Sequence, residues 1–240
     1  MSRELFSDDT TRKANQDEPH YKGHRDRLRA RFVQGGSDAL SDYELLELVL
    51  FMAIPRRDVK PLAKSLITEF RDYKGVLNAP VEKLTRVNGL SDTSAIALKS
   101  VQAAAQRLLR YEAMEHPVIN SWSRLIDYCT AVMAHLTHEE FRVLFLNKKL
   151  RLIADEVQAR GTVDHAPAYP REIVKWALDL GAGSIILVHN HPSGDPAPSA
   201  DDIQLTEAVA AAAEPMGITL HDHVIIGRGA HVSFKAKGLL

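Results

Sequence analysis

The 240-residue chain contains only one cysteine, Cys129, and lacks long apolar runs. A single cysteine excludes an intrachain disulfide and agrees with a reducing compartment. No apolar run approaches the roughly 18 residues that a bilayer-spanning helix needs. The N-terminus also lacks the apolar stretch of a secretion signal. These absences predict a cytoplasmic protein that has no contact with a membrane.

The chain also lacks an excess of charge of either sign. Its 30 Lys and Arg residues nearly balance its 31 Asp and Glu residues, for a net charge of −1. A strong electrostatic footprint for nucleic acid is therefore absent. Only residues 22–31 are locally basic, and such a run is more often a solvated helix face than a binding site. A hydrophobic content of 45% is ordinary for a globular protein.

Hydrophobic periodicity divides the chain into two modules. Residues 1–20 are polar with little periodicity, which predicts disorder. Residues 21–110 carry helical patterns and are predicted to form an all-α domain. Residues 111–117 break this pattern and are predicted to form a linker. Over residues 118–240, helices alternate with apolar strands, which predicts an α/β domain. Its predicted strands cover residues 142–146, 152–157, 184–188 and 219–226.

The segment 189–202 carries the most chemistry. His189 and His191 follow the apolar run 184–188, so imidazoles at i and i+2 project from one face of a predicted strand. A turn rich in Pro and Gly leads to Asp202, whose carboxylate can fold back toward them. Two neutral imidazoles, one carboxylate and an open fourth position are what a hydrolytic zinc ion needs. The spacing therefore predicts one Zn²⁺ per chain on these three residues.

Other features of this region allow structural interpretations. Ser199 and Asp202 have the spacing of a helix capping box, which satisfies backbone donors without any metal. His221 and His223 form a second i, i+2 pair on the strand predicted at 219–226. We interpret that pair as a strand edge or as an element that orients a ligand imidazole, because no further acidic residue follows it.

The pattern His-x-His-Pro, six residues and Ser-x-x-Asp resembles the JAMM (MPN) metallopeptidase signature. The sequence His-Asn-His-Pro-Ser-Gly-Asp resembles the RadC branch of that family. Residues 169–173, 222–227 and 237–240 resemble it too. The resemblance implies a three-layer α/β/α JAMM domain with a mixed sheet over residues 118–240. It also implies an all-α, helix-hairpin-helix-like domain before it. The implied activity is zinc-dependent hydrolysis of a peptide or isopeptide bond in a peptide or protein substrate.

A hydrolytic zinc site also needs a general base that is not a ligand. The resemblance places this base at Glu139, two residues before the Phe that opens a strand. Glu140 is the alternative, since a one-residue slip reverses which side chain faces inward. Ser199 can cap the following helix and can also donate to the oxyanion of a tetrahedral intermediate. Glu139 and Ser199 are therefore the candidate catalytic residues.

Residues 87–91 resemble the turn of a helix-hairpin-helix. Gly89, Leu90 and Ser91 would present backbone N–H groups to a phosphate, which gives weak DNA contact without sequence preference. Ser91 replaces the second glycine of the usual turn, and Asp92 would oppose a phosphate. The alternative function is thus a DNA-associated accessory protein with a structural or vestigial zinc site. A third is a metal-dependent hydrolase of another amide or of nucleic acid.

Overall fold

The computed structural model describes residues 23–161 and 168–240, and the predicted disorder of residues 1–20 lies outside them. The helices are α1 (His24–Gly35), α2 (Asp42–Ala53), α3 (Lys60–Phe70), α4 (Tyr73–Asn78), α5 (Val81–Leu84), α6 (Asp92–Glu115), α7 (Trp122–Met133), α8 (Pro170–Asp179), α9 (Ala200–Ala213) and α10 (Phe234–Lys237). Short 3-10 turns occur at Ser37–Ala39, Val118–Asn120 and Glu214–Met216. The strands are β1 (Glu140–Leu146), β2 (Leu152–Arg160), β3 (Ser184–Asn190), β4 (Thr219–Ile226) and β5 (His231–Ser233). None of the described helices is long and apolar enough to cross a membrane.

The chain forms two compact units, Met1–Gln102 and Ala103–Leu240. The described part of the first unit is helical, which confirms the predicted all-α region. A capping box of Ser41 and Glu44 starts α2, because the first turn of a helix leaves backbone N–H groups that side chains must satisfy. The apolar faces of its helices meet in one core. That core includes Leu28, Leu46, Leu50, Leu66, Leu84 and Leu98.

Helix α6 continues through residues 111–115, so the linker predicted for residues 111–117 is wrong over this part. These residues contain neither Gly nor Pro, and the first helix-breaking residue is Pro117. Ala113 is buried in the core of the second unit, and Leu109 packs against that core. Tertiary packing therefore keeps residues 111–115 helical, although the local sequence pattern alone does not predict a helix there.

The second unit contains a five-stranded mixed sheet in the order β2-β1-β3-β4-β5. Strand β1 is antiparallel to both β2 and β3, β3 is parallel to β4, and β4 is antiparallel to β5. The central strand β3 is buried along its whole length. This explains why residues 185–188 of β3 form a continuous apolar run without polar alternation. The predicted mixed sheet is confirmed.

Helices cover both faces of this sheet. Leu144 on β1 and Ile186 on β3 pack in one core with α7, whereas Val143 and Leu187 pack in another core with α8 and α9. Alternate residues of a strand point to opposite faces, so each strand contributes to both cores. The three-layer α/β/α arrangement is confirmed. His189, two residues after Leu187, lies on the face that α8 and α9 cover.

Candidate metal centre

His189, His191 and Asp202 converge where β3 ends and α9 begins. The Nε2 atoms of the two imidazoles lie 3.0 Å apart. His189 Nε2 is 3.1 Å from Asp202 Oδ1, and His191 Nε2 is 3.5 Å from Asp202 Oδ2. His189 is buried and the other two are half-buried. Within the described residues, this is the one group of three His, Cys, Asp or Glu side chains close enough to hold a metal ion.

Local backbone interactions bring the three side chains together. The His191 amide donates to the Ile226 carbonyl at the end of β4, at 3.0 Å. The chain then reverses through a turn in which the Gly194 amide donates to the His191 carbonyl at 2.9 Å. Gly194 has a φ of 95°, a conformation that favours glycine. The turn leads to Ser199, which caps α9 and so places Asp202 in its first turn.

His191 is oriented as a metal ligand. Its Nδ1 lies 2.8 Å from the carbonyl oxygen of Asp195. A carbonyl can only accept, so Nδ1 carries the hydrogen and the neutral ring has its lone pair on Nε2. That lone pair points at His189 and Asp202, which makes the donor set fit a divalent cation. Hydrogen bonding of the second ring nitrogen to a backbone carbonyl is also typical of metal-binding histidines.

The charges of the cluster depend on one another. Burial by itself would raise the pKa of Asp202, but the neighbouring imidazoles of His189 and His191 and the Ser199 hydroxyl hold it well below its usual range. The carboxylate of Asp202, and secondarily the Asp195 carbonyl, raise the pKa of His191 above its ordinary 6.5. Asp202 is therefore ionised near neutral pH, and a proton on His191 competes with a metal ion for the same lone pair.

Zinc affinity is accordingly expected to fall as the pH is lowered through the raised pKa of His191. Asp202 stays ionised over that range, so the displaced proton comes from His191 and the apparent affinity should drop about tenfold per pH unit below its pKa. Competition with a chromophoric chelator between about pH 5 and about pH 8 measures this slope. An affinity that does not change with pH would contradict the assignment of His191 as a ligand.

The structure separates the two adjacent glutamates. Glu140, the first residue of β1, is buried and forms ion pairs with Arg142 at 2.7 Å and with Arg160 at 3.0 Å. Arg142 also pairs with Asp155 at 2.9 Å, so Glu140 belongs to a structural ionic network. Glu139 is half-buried and lines a groove together with His191 and Asp202. Glu139, the residue before β1, thus lies beside His191 and Asp202 in the groove, whereas Glu140 is held by the two arginines.

Replacement of Glu140 by alanine is expected to destabilise the fold by about 3 kcal/mol, because Arg142 would keep a buried charge with one partner fewer. Denaturant unfolding measures the change. Arg160→Ala is the matched control: the Arg160 side chain is 68% exposed, and an exposed partner contributes no more than about 1 kcal/mol. A loss of no more than about 1 kcal/mol in Glu140→Ala, as for an exposed ion pair, would show that the Glu140 network does not stabilise the fold.

The groove beside the cluster has a volume of about 1140 Å³. Glu139, Asp202 and Ser199 lie along it together with apolar side chains, including Phe141 and Leu205. Arg228, which sequence reasoning missed, contributes a cation to the lining and donates to the Pro192 carbonyl at 3.2 Å. A concave surface with a few convergent polar groups is typical of a site for a small molecule or an extended peptide.

Ser199 occupies the capping position that its spacing predicts. Its backbone N–H and its hydroxyl donate to Asp202 Oδ2 at 2.8 Å and 2.7 Å. In return the Asp202 amide donates to the Ser199 hydroxyl oxygen at 3.1 Å. The capping box therefore also holds the Asp202 carboxylate in place, with its Oδ1 directed at His189. Donation by Ser199 to an oxyanion stays a prediction.

Comparison with known proteins assigns the family. A model described as RadC-like JAB domain matches residues 119–239, and a model described as UPF0758 N-terminal matches residues 22–96. The chain belongs to the RadC-like UPF0758 family. A UPF0758 protein from Rhodobacter capsulatus is 57% identical over 213 residues, covering 89% of this chain and 100% of the relative. Another from Ruegeria pomeroyi is 55% identical over 223 residues, covering 92% and 100% respectively.

The family assignment confirms the resemblance to RadC, but the relatives' names state no activity. The candidate site lies in the domain that the RadC-like model matches. Two of its residues near the cluster were missed by sequence reasoning as parts of the site. They are Asn190, which lies between His189 and His191 in the sequence, and Thr206 on α9. A lone Asn or Thr in an apolar element carries no sequence signal of such a role.

Asn190 fixes the backbone on both sides of Glu139. It is buried, its side-chain oxygen accepts from the Glu140 amide at 2.9 Å, and its side-chain nitrogen donates to the His138 carbonyl at 3.0 Å. The Gly161 amide also donates to the carbonyl of Glu139 at 3.0 Å. Both peptide groups of Glu139 are thus hydrogen-bonded, which holds its backbone in place beside His191 and Asp202.

His223 lies behind His189 rather than at a sheet edge, because β4 is an interior strand. The two rings approach to 2.9 Å between His189 Nδ1 and His223 Nε2. Burial lowers the pKa of His223 well below its ordinary value, so its ring is neutral. Asp222, next to it, accepts from the Ser233 hydroxyl at 2.5 Å and from the Lys235 amide at 3.0 Å. Asp222 therefore fastens the C-terminal segment and is directed away from the metal cluster.

The predicted hairpin in the first unit has a different environment. Gly89 has a φ of 94°, and its carbonyl accepts from the Arg57 guanidinium at 2.5 Å. Leu90 is buried in the helical core, and its amide donates to the Val87 carbonyl at 3.1 Å. The Ser91 hydroxyl accepts from the Ser94 amide at 3.3 Å. These contacts explain the turn without a phosphate, and DNA contact stays a prediction.

Proposed function

We propose that this RadC-like protein is a zinc-dependent hydrolase of the JAMM metallopeptidase type, which cleaves a peptide or isopeptide bond. One observation carries the proposal. His189, His191 and Asp202 converge closely enough to hold an ion. Two of them, His191 and Asp202, line a groove that also contains Glu139, a carboxylate outside this group. Two imidazoles and one carboxylate leave a coordination position open, as hydrolytic zinc sites require.

His189, His191 and Asp202 would hold the ion. Zinc bound there supplies a Lewis acid that activates water and polarises the scissile carbonyl. Glu139 accepts the proton of the attacking water and returns it to the leaving nitrogen. Asn190 keeps the Glu139 peptide groups fixed during this transfer. The Ser199 hydroxyl, once it turns from Asp202, donates to the carbonyl oxygen as negative charge develops there.

The groove fits an extended polypeptide better than a compact ligand. It combines apolar walls with the acidic Asp201 and the basic Arg228. An extended chain can present its backbone carbonyl to the cluster while its side chains contact Phe141 and Leu205. This supports a peptide or protein segment as the substrate class, with the lysine side-chain amide of an isopeptide as the second form of the same bond.

The proposal is tested by hydrolysis in ¹⁸O-labelled water. Zinc-loaded full-length protein is incubated with a defined mixture of linear peptides and lysine-linked isopeptides, and the products are analysed by mass spectrometry. Hydrolysis places one labelled oxygen in each new carboxyl group. Labelled products that depend on zinc and disappear in Glu139→Gln support the proposal. If zinc-loaded protein forms no more labelled product than zinc-free protein from either substrate class, the peptidase proposal is wrong.

A further inference from the structure

A continuous chain of polar contacts runs behind the metal cluster. His223 Nε2 lies 2.9 Å from His189 Nδ1, and His223 Nδ1 lies 2.6 Å from the Thr206 hydroxyl oxygen. The Thr206 hydroxyl lies 2.5 Å from the backbone carbonyl of Asp202. This series of contacts therefore begins at one proposed metal ligand, His189, and ends at another, Asp202. Its members come from β3, β4 and α9, three elements that meet only in the folded domain.

The backbone carbonyl of Asp202, the last group in this series of contacts, determines the position of every proton in the series. The Asp202 carbonyl can only accept, so the single hydroxyl hydrogen of Thr206 is donated to it. The Thr206 oxygen then accepts from His223 Nδ1–H. His223 Nε2 consequently bears a lone pair and accepts from His189 Nδ1–H. His189 Nε2 is thereby left without a hydrogen, and this is the atom that faces His191 and Asp202.

Aromatic packing holds both imidazoles in this alignment. The Phe234 ring stacks on His223 with a centroid distance of 4.6 Å and an interplanar angle of 29°. The Phe141 ring stacks on His189 with a centroid distance of 6.0 Å and an interplanar angle of 16°. His223 has no solvent exposure, so water cannot replace either of its partners. Both of its ring nitrogens are occupied, which also excludes it as a metal ligand.

We propose that His223, supported by Thr206, is a positioning residue for the metal centre: it selects the His189 tautomer that presents Nε2 to the ion. The inference rests on the metal site of the proposed function and concerns binding of the ion, whether or not the loaded protein hydrolyses peptides. Such outer partners commonly contribute 10- to 100-fold to metal affinity. Here the partner is an imidazole, whose own tautomer must be set by a further residue, and Thr206 fulfils that requirement.

Three substitutions separate this role from simple packing. His223→Phe keeps a ring in the core but removes the acceptor for His189. His223→Gln restores an acceptor at about the position of Nε2, the ring nitrogen that faces His189. Thr206→Val keeps the shape of the side chain but removes both the donor to Asp202 and the acceptor for His223. If His223 has a purely structural role, a side chain of similar volume should be sufficient for wild-type zinc affinity. If it has the positioning role, wild-type affinity should require the hydrogen bond to His189.

The experiment uses the full-length chain and two probe ions. Zn²⁺ affinity is measured by competition with a chromophoric chelator, and the visible absorption spectrum of the Co²⁺-loaded protein reports ligand geometry. We expect His223→Phe to weaken zinc binding by about 10- to 100-fold and to shift the Co²⁺ absorption bands. His223→Gln should recover most of the affinity and the wild-type bands. Thr206→Val should weaken binding by about tenfold. Circular dichroism of the metal-free variants checks folding.

The outcomes are distinguishable. Wild-type zinc affinity and an unchanged Co²⁺ spectrum in folded His223→Phe would overturn the positioning role. If that variant does not fold, Thr206→Val decides, and its unchanged affinity and spectrum would overturn the role equally. Wild-type protein that binds no zinc would refute the metal site itself and with it the proposed function. Wild-type protein that binds zinc without hydrolysing peptides would refute the peptidase proposal alone, and the expected losses in the variants would still support the positioning role.

Discussion

Zinc content is expected to fall from about one ion per chain to nearly none when His191 is replaced by alanine. The substitution removes one of three protein ligands, and the loss of affinity should exceed the 10- to 100-fold that follows removal of an outer partner, reaching on the order of 10³-fold. His191 suits this test better than His189. Its side chain is half-buried at the groove, so truncation leaves little cavity, whereas His189 is buried against Phe141.

Elemental analysis after dialysis against a metal-free buffer measures this loss. His231→Ala is the matched control, because His231 is an exposed histidine on the same sheet and lies outside the cluster. We expect the control to retain about one zinc ion per chain. Circular dichroism should show that both variants keep their secondary structure. A full zinc complement in folded His191→Ala would show that the ion is held by other residues.

The second large effect is expected for Glu139→Gln. A general base transfers protons and does not coordinate the ion, so this variant should keep its zinc and its fold while the hydrolysis rate falls on the order of 10²-fold or more. Glutamine preserves the size and polarity of the side chain and removes only its ability to take a proton. Zinc content and rate must therefore be measured on the same preparation.

Glu207→Gln provides the control for this effect, because Glu207 is an exposed glutamate on α9. This control variant should hydrolyse the same peptides and isopeptides at the wild-type rate. A Glu139→Gln variant that also hydrolyses at the wild-type rate would show that Glu139 is not the general base. Loss of zinc together with activity in this variant would instead show that Glu139 contributes to the ligand set, contrary to the assignment.

Local periodicity accounts for what could be predicted of the fold. The alternation of helical and apolar segments after residue 118 predicted the α/β domain, because a buried central strand such as β3 needs apolar residues on both faces. The end of α6 was mispredicted since residues 111–115 have no strong pattern of their own. They are helical because Ala113 is buried by other elements of the second unit, and such long-range packing overrides weak local preference.

The sequence by itself determined which three side chains converge in the candidate metal centre, because their geometry is local. The period of a strand puts His189 and His191 on one face, and a capping box places Asp202 at the start of α9. Tertiary structure alone decided which glutamate faces the groove, since this depends on how β1 pairs with β3. It also decided the partners of the ligands. His223 meets His189 only through the parallel pairing of β3 and β4, and Asn190 reaches the backbone around Glu139 only across neighbouring strands. Strand pairing sets these contacts between residues far apart in the chain, and no local period encodes the pairing.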